Sequence, residues 1–252
     1  MRLHTLPLVV LVLAFPALAS RTWADTLTPI TSPSGLGAFA ATDIATLGVA
    51  GTLVPSGDSL GVPGIPGLTV TISNVTGNDF QRYDEGLSGA YAWGGNFAPG
   101  TPLLWTNSYD AEGDFIQNGP VTFALSSPES GIGFYISTDT YGTFTADLCA
   151  YGSTDNLLGC NDFAGTSAFT NDNTAPFVGF VDSAADISYV TVSTAIVTPA
   201  PGMDDALGAN DFAFSSPLIA ITPEPGTLVS LALGLLGLAA FGLRKKSFRL
   251  AR

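Results

Sequence analysis

Through the middle of the chain, apolar side chains recur at every second position in short runs, and glycine and proline separate the runs. That period belongs to a strand with one buried and one wet face, because a helix would space the same residues at three and four. Leu68, Val70 and Ile72 alternate with Thr69, Thr71 and Ser73. Val121, Phe123 and Leu125 repeat the pattern, as do Ile132, Phe134 and Ile136. Phe144, Ala146, Leu148 and Ala150 alternate with Thr143, Thr145, Asp147 and Cys149. Further strands are expected from Phe177 to Val181, from Ile187 to Thr194 and around Phe212 and Phe214, while the Gly- and Pro-rich stretch from Gly57 to Gly67 reads as a loop. Many short strands joined by turns predict an all-β fold, an antiparallel β-sandwich of jelly-roll type, with a barrel as the alternative. Residues 20–222 suffice for one such domain.

Within that span, Arg21 and Arg82 are the only basic residues and stand against twenty carboxylates. Such a surface repels phosphate backbones and anionic headgroups, since nucleic-acid affinity comes from Lys and Arg displacing counterions; no nucleic-acid partner is expected. The one histidine, His4, lies in the first terminal segment. A domain without imidazole cannot build a Ser-His-Asp or Cys-His nucleophile or a histidine metal site. Chemistry would rest on carboxylates alone, as in glycoside hydrolysis. No pair stands out, and Asp84-Glu85 and Asp204-Asp205 read as solvated turns, so no catalytic residue and no enzyme activity is expected.

The two ends read differently. Arg2, an apolar run from Leu8 to Phe15 and the small residues Ala17 and Ala19 follow the order of a secretory signal peptide, cut by signal peptidase after Ala19. Near the other end stand Pro223, Glu224 and Pro225, then the uncharged stretch Gly226 to Leu243, then Arg244, Lys245 and Lys246. An 18-residue helix is roughly 27 Å long, close to the ~30 Å hydrocarbon core, so a transmembrane helix is expected there. The basic cluster belongs on the cytoplasmic side, which leaves the domain outside.

A Pro-Glu-Pro tripeptide, a Gly/Leu/Ala-rich span and a basic cluster, paired with a signal peptide, resemble the PEP-CTERM sorting signal. The resemblance implies three parts: residues 1–19 as signal peptide, residues 20–222 as an acidic extracytoplasmic β-sandwich, and residues 223–252 as the sorting signal. It also implies an exosortase as processing partner and a precursor anchored transiently in the inner membrane. The mature form is then expected at the cell surface or in the extracellular matrix, associated with exopolysaccharide or biofilm.

Cys149 and Cys160 flank the turn Ser153-Thr154-Asp155-Asn156. A hairpin symmetric about that turn sets them directly opposite at a non-hydrogen-bonded pair, where a disulfide fits, and an exported domain meets an oxidising compartment. The same register opposes Asp147 and Asp162, which predicts a bulge there, or else a cation between them. Asp110, Glu112 and Asp114 alternate around Gly113 in the manner of a calcium loop, but no bidentate glutamate follows at the required distance. A solvated acidic loop is the expected reading, with calcium as the alternative and no other cofactor. Trp93, Trp105 and Tyr109, with Phe97, lie in a Gly-rich stretch; they are read as core or loop anchors, with stacking on sugar rings as the alternative. The functional expectation is therefore a non-enzymatic surface or matrix protein; the alternatives are a carbohydrate-binding module and a carboxylate-dependent glycosidase.

Overall fold

A computed structural model describes residues 26–86, 89–109, 115–116, 119–170, 172–202 and 210–221. The expected signal peptide and the sorting segment with its span lie outside these residues. Among the described residues, no helix is long and apolar enough to cross a membrane.

The fold is all-β, with two sheets packed across one core. The smaller sheet runs in the order Leu157–Ser167, Gly142–Tyr151, Ile187–Pro199, Val121–Glu129, Thr69–Asn74, Ser59–Gly61. The larger runs Leu27–Ile30, Phe177–Asp182, Gly131–Thr138, Phe212–Ser215, Pro102–Trp105, Phe80–Glu85, Leu53–Val54. Two short strands, Phe39–Ala41 and Leu218–Ala220, extend it off that path, and Ala92–Trp93 runs parallel to Phe80–Glu85 in an otherwise antiparallel arrangement. Consecutive strands repeatedly change sheet: Val121–Glu129 lies in the smaller, Gly131–Thr138 in the larger, and Gly142–Tyr151 back in the smaller. Neighbours in sequence therefore face each other across the core, which is how each buries its apolar side.

That core is aromatic at its centre. Phe123 of the smaller sheet meets Phe134 and Phe214 of the larger at ring-centroid distances of 4.5 and 4.9 Å. All three are fully buried. Each such side chain contributes about 1.5–3 kcal/mol by leaving water.

The alternating runs emerge as predicted, with Phe144, Ala146, Leu148 and Ala150 inward along Gly142–Tyr151. Boundaries differ in places. The runs from Val121 and Ile187 continue to Glu129 and Pro199, and the stretch from Gly57 to Gly67 contains the strand Ser59–Gly61. There Leu60 is buried, and the Ser59 and Thr71 hydroxyls hydrogen-bond across the pair at 2.7 Å, which outweighs the loop-like composition.

Cys149 and Cys160 are directly paired and joined in a disulfide, with Cα atoms 4.0 Å apart. The expected break at Asp147 and Asp162 does not occur: the two are also directly paired, and the register shifts later, between Ala150 and Tyr151. The ladder on either side, with the crosslink two residues away, carries the register through the like charges. Burial, and then the Asp162 carboxylate, push the Asp147 carboxyl above its ordinary range. Because the folded state binds that proton more tightly than the unfolded one, the cost is felt at neutral pH and is relieved as pH falls through the folded pKa. Asp162→Asn is expected to raise stability by roughly 0.2–1 kcal/mol at pH 7 and low salt. The gain should disappear in acid, as urea unfolding at both pH values would show.

Candidate functional site

The larger sheet turns one face to the core and the other outward, and the outward face carries its own apolar cluster. Leu104 points inward from Pro102–Trp105, whereas Leu103 and Trp105 point outward with Ala213. Trp93, from the strand Ala92–Trp93, and Phe97, from the loop that leads into Pro102–Trp105, close over them. Along Phe80–Glu85 the same alternation puts Phe80 in the main core and Tyr83 outside, edge-on to Trp105 at 5.4 Å and to Trp93 at 6.0 Å.

Asn96 ties this loop down. Fully buried and at φ 72°, its amide donates to the Thr174 hydroxyl at 2.8 Å and to the Thr166 carbonyl at 3.2 Å. Its side-chain oxygen accepts from the Ala168 backbone at 3.0 Å. The approach is close enough to require glycine next door: a Cβ on Gly95, at φ 80°, would lie 2.2 Å from the Ala168 carbonyl oxygen.

Between this anchored loop and the residues Asp139, Tyr141, Phe169 and Asp172 lies a cleft of about 700 Å³. Rings from Tyr83, Trp93, Trp105, Tyr141 and Phe169 line it, and so do the carboxyl groups of Glu85, Asp139 and Asp172. Glu85 is 1% exposed; its Oε1 accepts from the Gly95 N–H at 3.0 Å, and its Oε2 is buried with no hydrogen-bond partner. Burial, with a smaller push from Asp172 and against the Gly95 hydrogen bond, raises its pKa to about 7. Burial also raises Asp139. Tyr141 is pushed up by burial and then by the Asp139 and Glu85 carboxylates. Beneath the cleft, Asp211 accepts from the Trp105 indole N–H at 2.7 Å; burial, reinforced by Asp139, lifts it to about 8.

The residues singled out in the sequence fare unevenly. Trp93 and Trp105 are 6% and 4% exposed and packed on Tyr83, so they are anchors as first read and not the free stacking faces of the alternative: they form the floor, because the outward sheet face needs an apolar layer beneath its loop. The exposed ring is Phe169, 65% accessible. Asp84 and Glu85 are no solvated turn but part of a strand, with Asp84 paired to Arg82. Asp204-Asp205, the Tyr109 side chain, and Asp110, Glu112 and Asp114 lie outside the described residues or side chains, as do Pro223, Glu224, Pro225, Arg244, Lys245 and Lys246. Asp147 lies near Cys149 and Cys160, but those sulfurs are bonded to each other and leave no thiolate for a metal.

Residues 222–246 match the PEP-CTERM protein-sorting motif. The chain carries an exosortase sorting signal. A PEP-CTERM signal implies an exported protein whose membrane-anchored precursor is processed by exosortase and sorted to the cell surface. No curated protein matches the chain. Among solved structures, it is similar to a DUF4465 family protein from Bacteroides caccae, at 12% identity and a TM-score of 0.37 over 78% of this chain and 100% of that one. It is also similar to Arthrobacter globiformis isomalto-dextranase complexed with panose, at 17% identity and a TM-score of 0.30 over 78% of this chain. The chain spans 32% of that longer protein. Both likenesses are too distant to bear on function.

Proposed function

We propose that this is a surface or extracellular-matrix protein that binds a glycan in the outer cleft without cleaving it, in association with exopolysaccharide. The observation that carries the reading is the pairing of the exposed Phe169 and half-buried Tyr141 rings with carboxyl groups in one cleft. Ring faces and edges cover the apolar faces of sugars, and carboxylates accept from their hydroxyls. Signal peptidase removes residues 1–19, and exosortase acts near Pro223-Glu224-Pro225.

Two measurements test this. The mature protein should lack both terminal segments in cells with exosortase and keep the C-terminal one without it; equal masses would contradict the sorting step. Purified protein should retain specific oligosaccharides on a glycan array. Phe169→Ala should weaken that binding about two- to tenfold, as expected for losing a ring contact of about 0.5–1.5 kcal/mol. An array on which nothing is retained would remove the glycan reading.

A carboxylate glycosidase is the second reading, because a glutamic acid with a pKa of about 7 is suited to general-acid work. Against it, Oε1 of Glu85 is already held by the Gly95 N–H. Release of reducing ends from a bound glycan would favour this reading over simple binding.

A further inference from the structure

Among the described residues, three carboxyl groups line the cleft and no Lys, Arg or His does. The nearest basic side chain in sequence, Arg82, alternates to the other face of its strand and pairs with Asp84. Glu85 faces Gly95 from the loop, Asp172 from beyond Leu157–Ser167, and Tyr141 with Asp139 from the segment after Gly131–Thr138. Not one of these supplies positive charge, and Oε2 of Glu85 is buried with its hydrogen-bonding capacity unused. A buried acceptor left in this state costs free energy that a donor from a ligand would recover.

We propose that the cleft takes a polysaccharide bearing free amino groups, with an ammonium seated between the Glu85 Oε2 and the aromatic walls. This rests on the glycan reading above and names the sugar chemistry that fits it. A sugar ammonium brings three charge-assisted donors to an acceptor that lacks one, and the ring faces attract a cation. A neutral hydroxyl would supply a donor but leave the three carboxyl groups without a counter-charge. A metal ion fits less well. Among the described residues, the one trio of metal-type ligand atoms within 4.8 Å of one another is Asp147, Cys149 and Cys160, so the cleft carboxylates are too dispersed to close on a single ion. A mobile saccharide spans such a spacing, and the cleft volume of about 700 Å³ falls within the ~300–1,000 Å³ usual for ligand sites.

The test is calorimetric titration of the purified protein at pH 7 and low salt with four probes. These are a glucosamine tetramer, the same tetramer fully N-acetylated, a neutral glucose tetramer, and calcium chloride alone. The amine form should bind at least tenfold more tightly than either neutral oligomer. Its affinity should fall as pH is lowered through Glu85's titration. Glu85→Gln, which keeps the Gly95 hydrogen bond, should remove the preference, and Asp172→Asn should reduce it should the first variant fail to fold. Asp162→Asn, on the other sheet, should change nothing. Equal binding of the N-acetylated or neutral tetramer would overturn the amine assignment while leaving the glycan reading intact. Absence of binding by all three oligomers would remove both. Calcium binding in the cleft that displaces the tetramer, or an equal loss with Asp162→Asn, would also overturn the proposal, the first by naming an ion as occupant and the second by reducing the effect to overall charge.

Discussion

Phe214→Ala should lower unfolding stability by about 3–5 kcal/mol, the usual cost of deleting a buried phenylalanine. Phe214 is fully buried at the meeting point of both sheets, edge-on to Phe123 at 4.9 Å, to Phe134 at 6.1 Å and to Phe80 at 6.2 Å. Those partners come from three separate strands and cannot all move into the void, so the cavity term adds to the lost transfer energy. The strand Phe212–Ser215 also bridges Gly131–Thr138 and Pro102–Trp105. Loosening it would free Asp211 and, through its hydrogen bond, the indole of Trp105 beneath the cleft. Thermal unfolding should show a fall on the order of 10 °C for a domain of this size. A shift of a degree or two would mean that the central ring cluster is not what holds the sheets together.

Removing the crosslink should be the next most costly change. Cys149→Ala with Cys160→Ala, made together so that no lone thiol remains, is expected to cost ~3 kcal/mol. Most of that arises in the unfolded chain, where the bond closes a loop between residues 11 apart in sequence. The folded hairpin has its own ladder from Gly142 to Tyr151 and should keep its geometry. Urea midpoints under oxidising and reducing conditions give the same comparison in the native sequence, and identical midpoints would refute it.

How much of this was legible beforehand follows from the physics of each element. Phe144, Ala146 and Leu148 announce their strand because each faces a continuous core on one side and water on the other. The cysteine pairing was legible because a short turn fixes hairpin register. Phe80–Glu85 was not, since it buries polar groups on both faces: Arg82 with its partner Asp84 on one, Gln81 and Glu85 on the other. A buried ion pair looks, in sequence, like solvent-facing charge. The strand Pro102–Trp105 was hidden in the same way, being apolar on both faces because a loop covers the outer one. The cleft then draws on residues 83–86, 89–95, 105, 139, 141, 169 and 172. No local spacing rule joins them. The one local cue was Gly94-Gly95 followed by Asn96, a sequence tolerant of positive φ, and its meaning depends on a carbonyl more than seventy residues away.

The strand Leu157–Ser167 forms one border of the smaller sheet, and along its eleven residues the only charged side chain is Asp162. A border this long and nearly neutral is open to pairing by a passing extended chain, a neighbouring copy included, up to the point where Asn96 already holds the Thr166 carbonyl. Charge on an edge disfavours such additions, so the same Asp162 that strains the hairpin also opposes edge-to-edge pairing. Neutralising it would yield a sturdier molecule that is also stickier, a poor exchange for a protein crowded at the cell exterior.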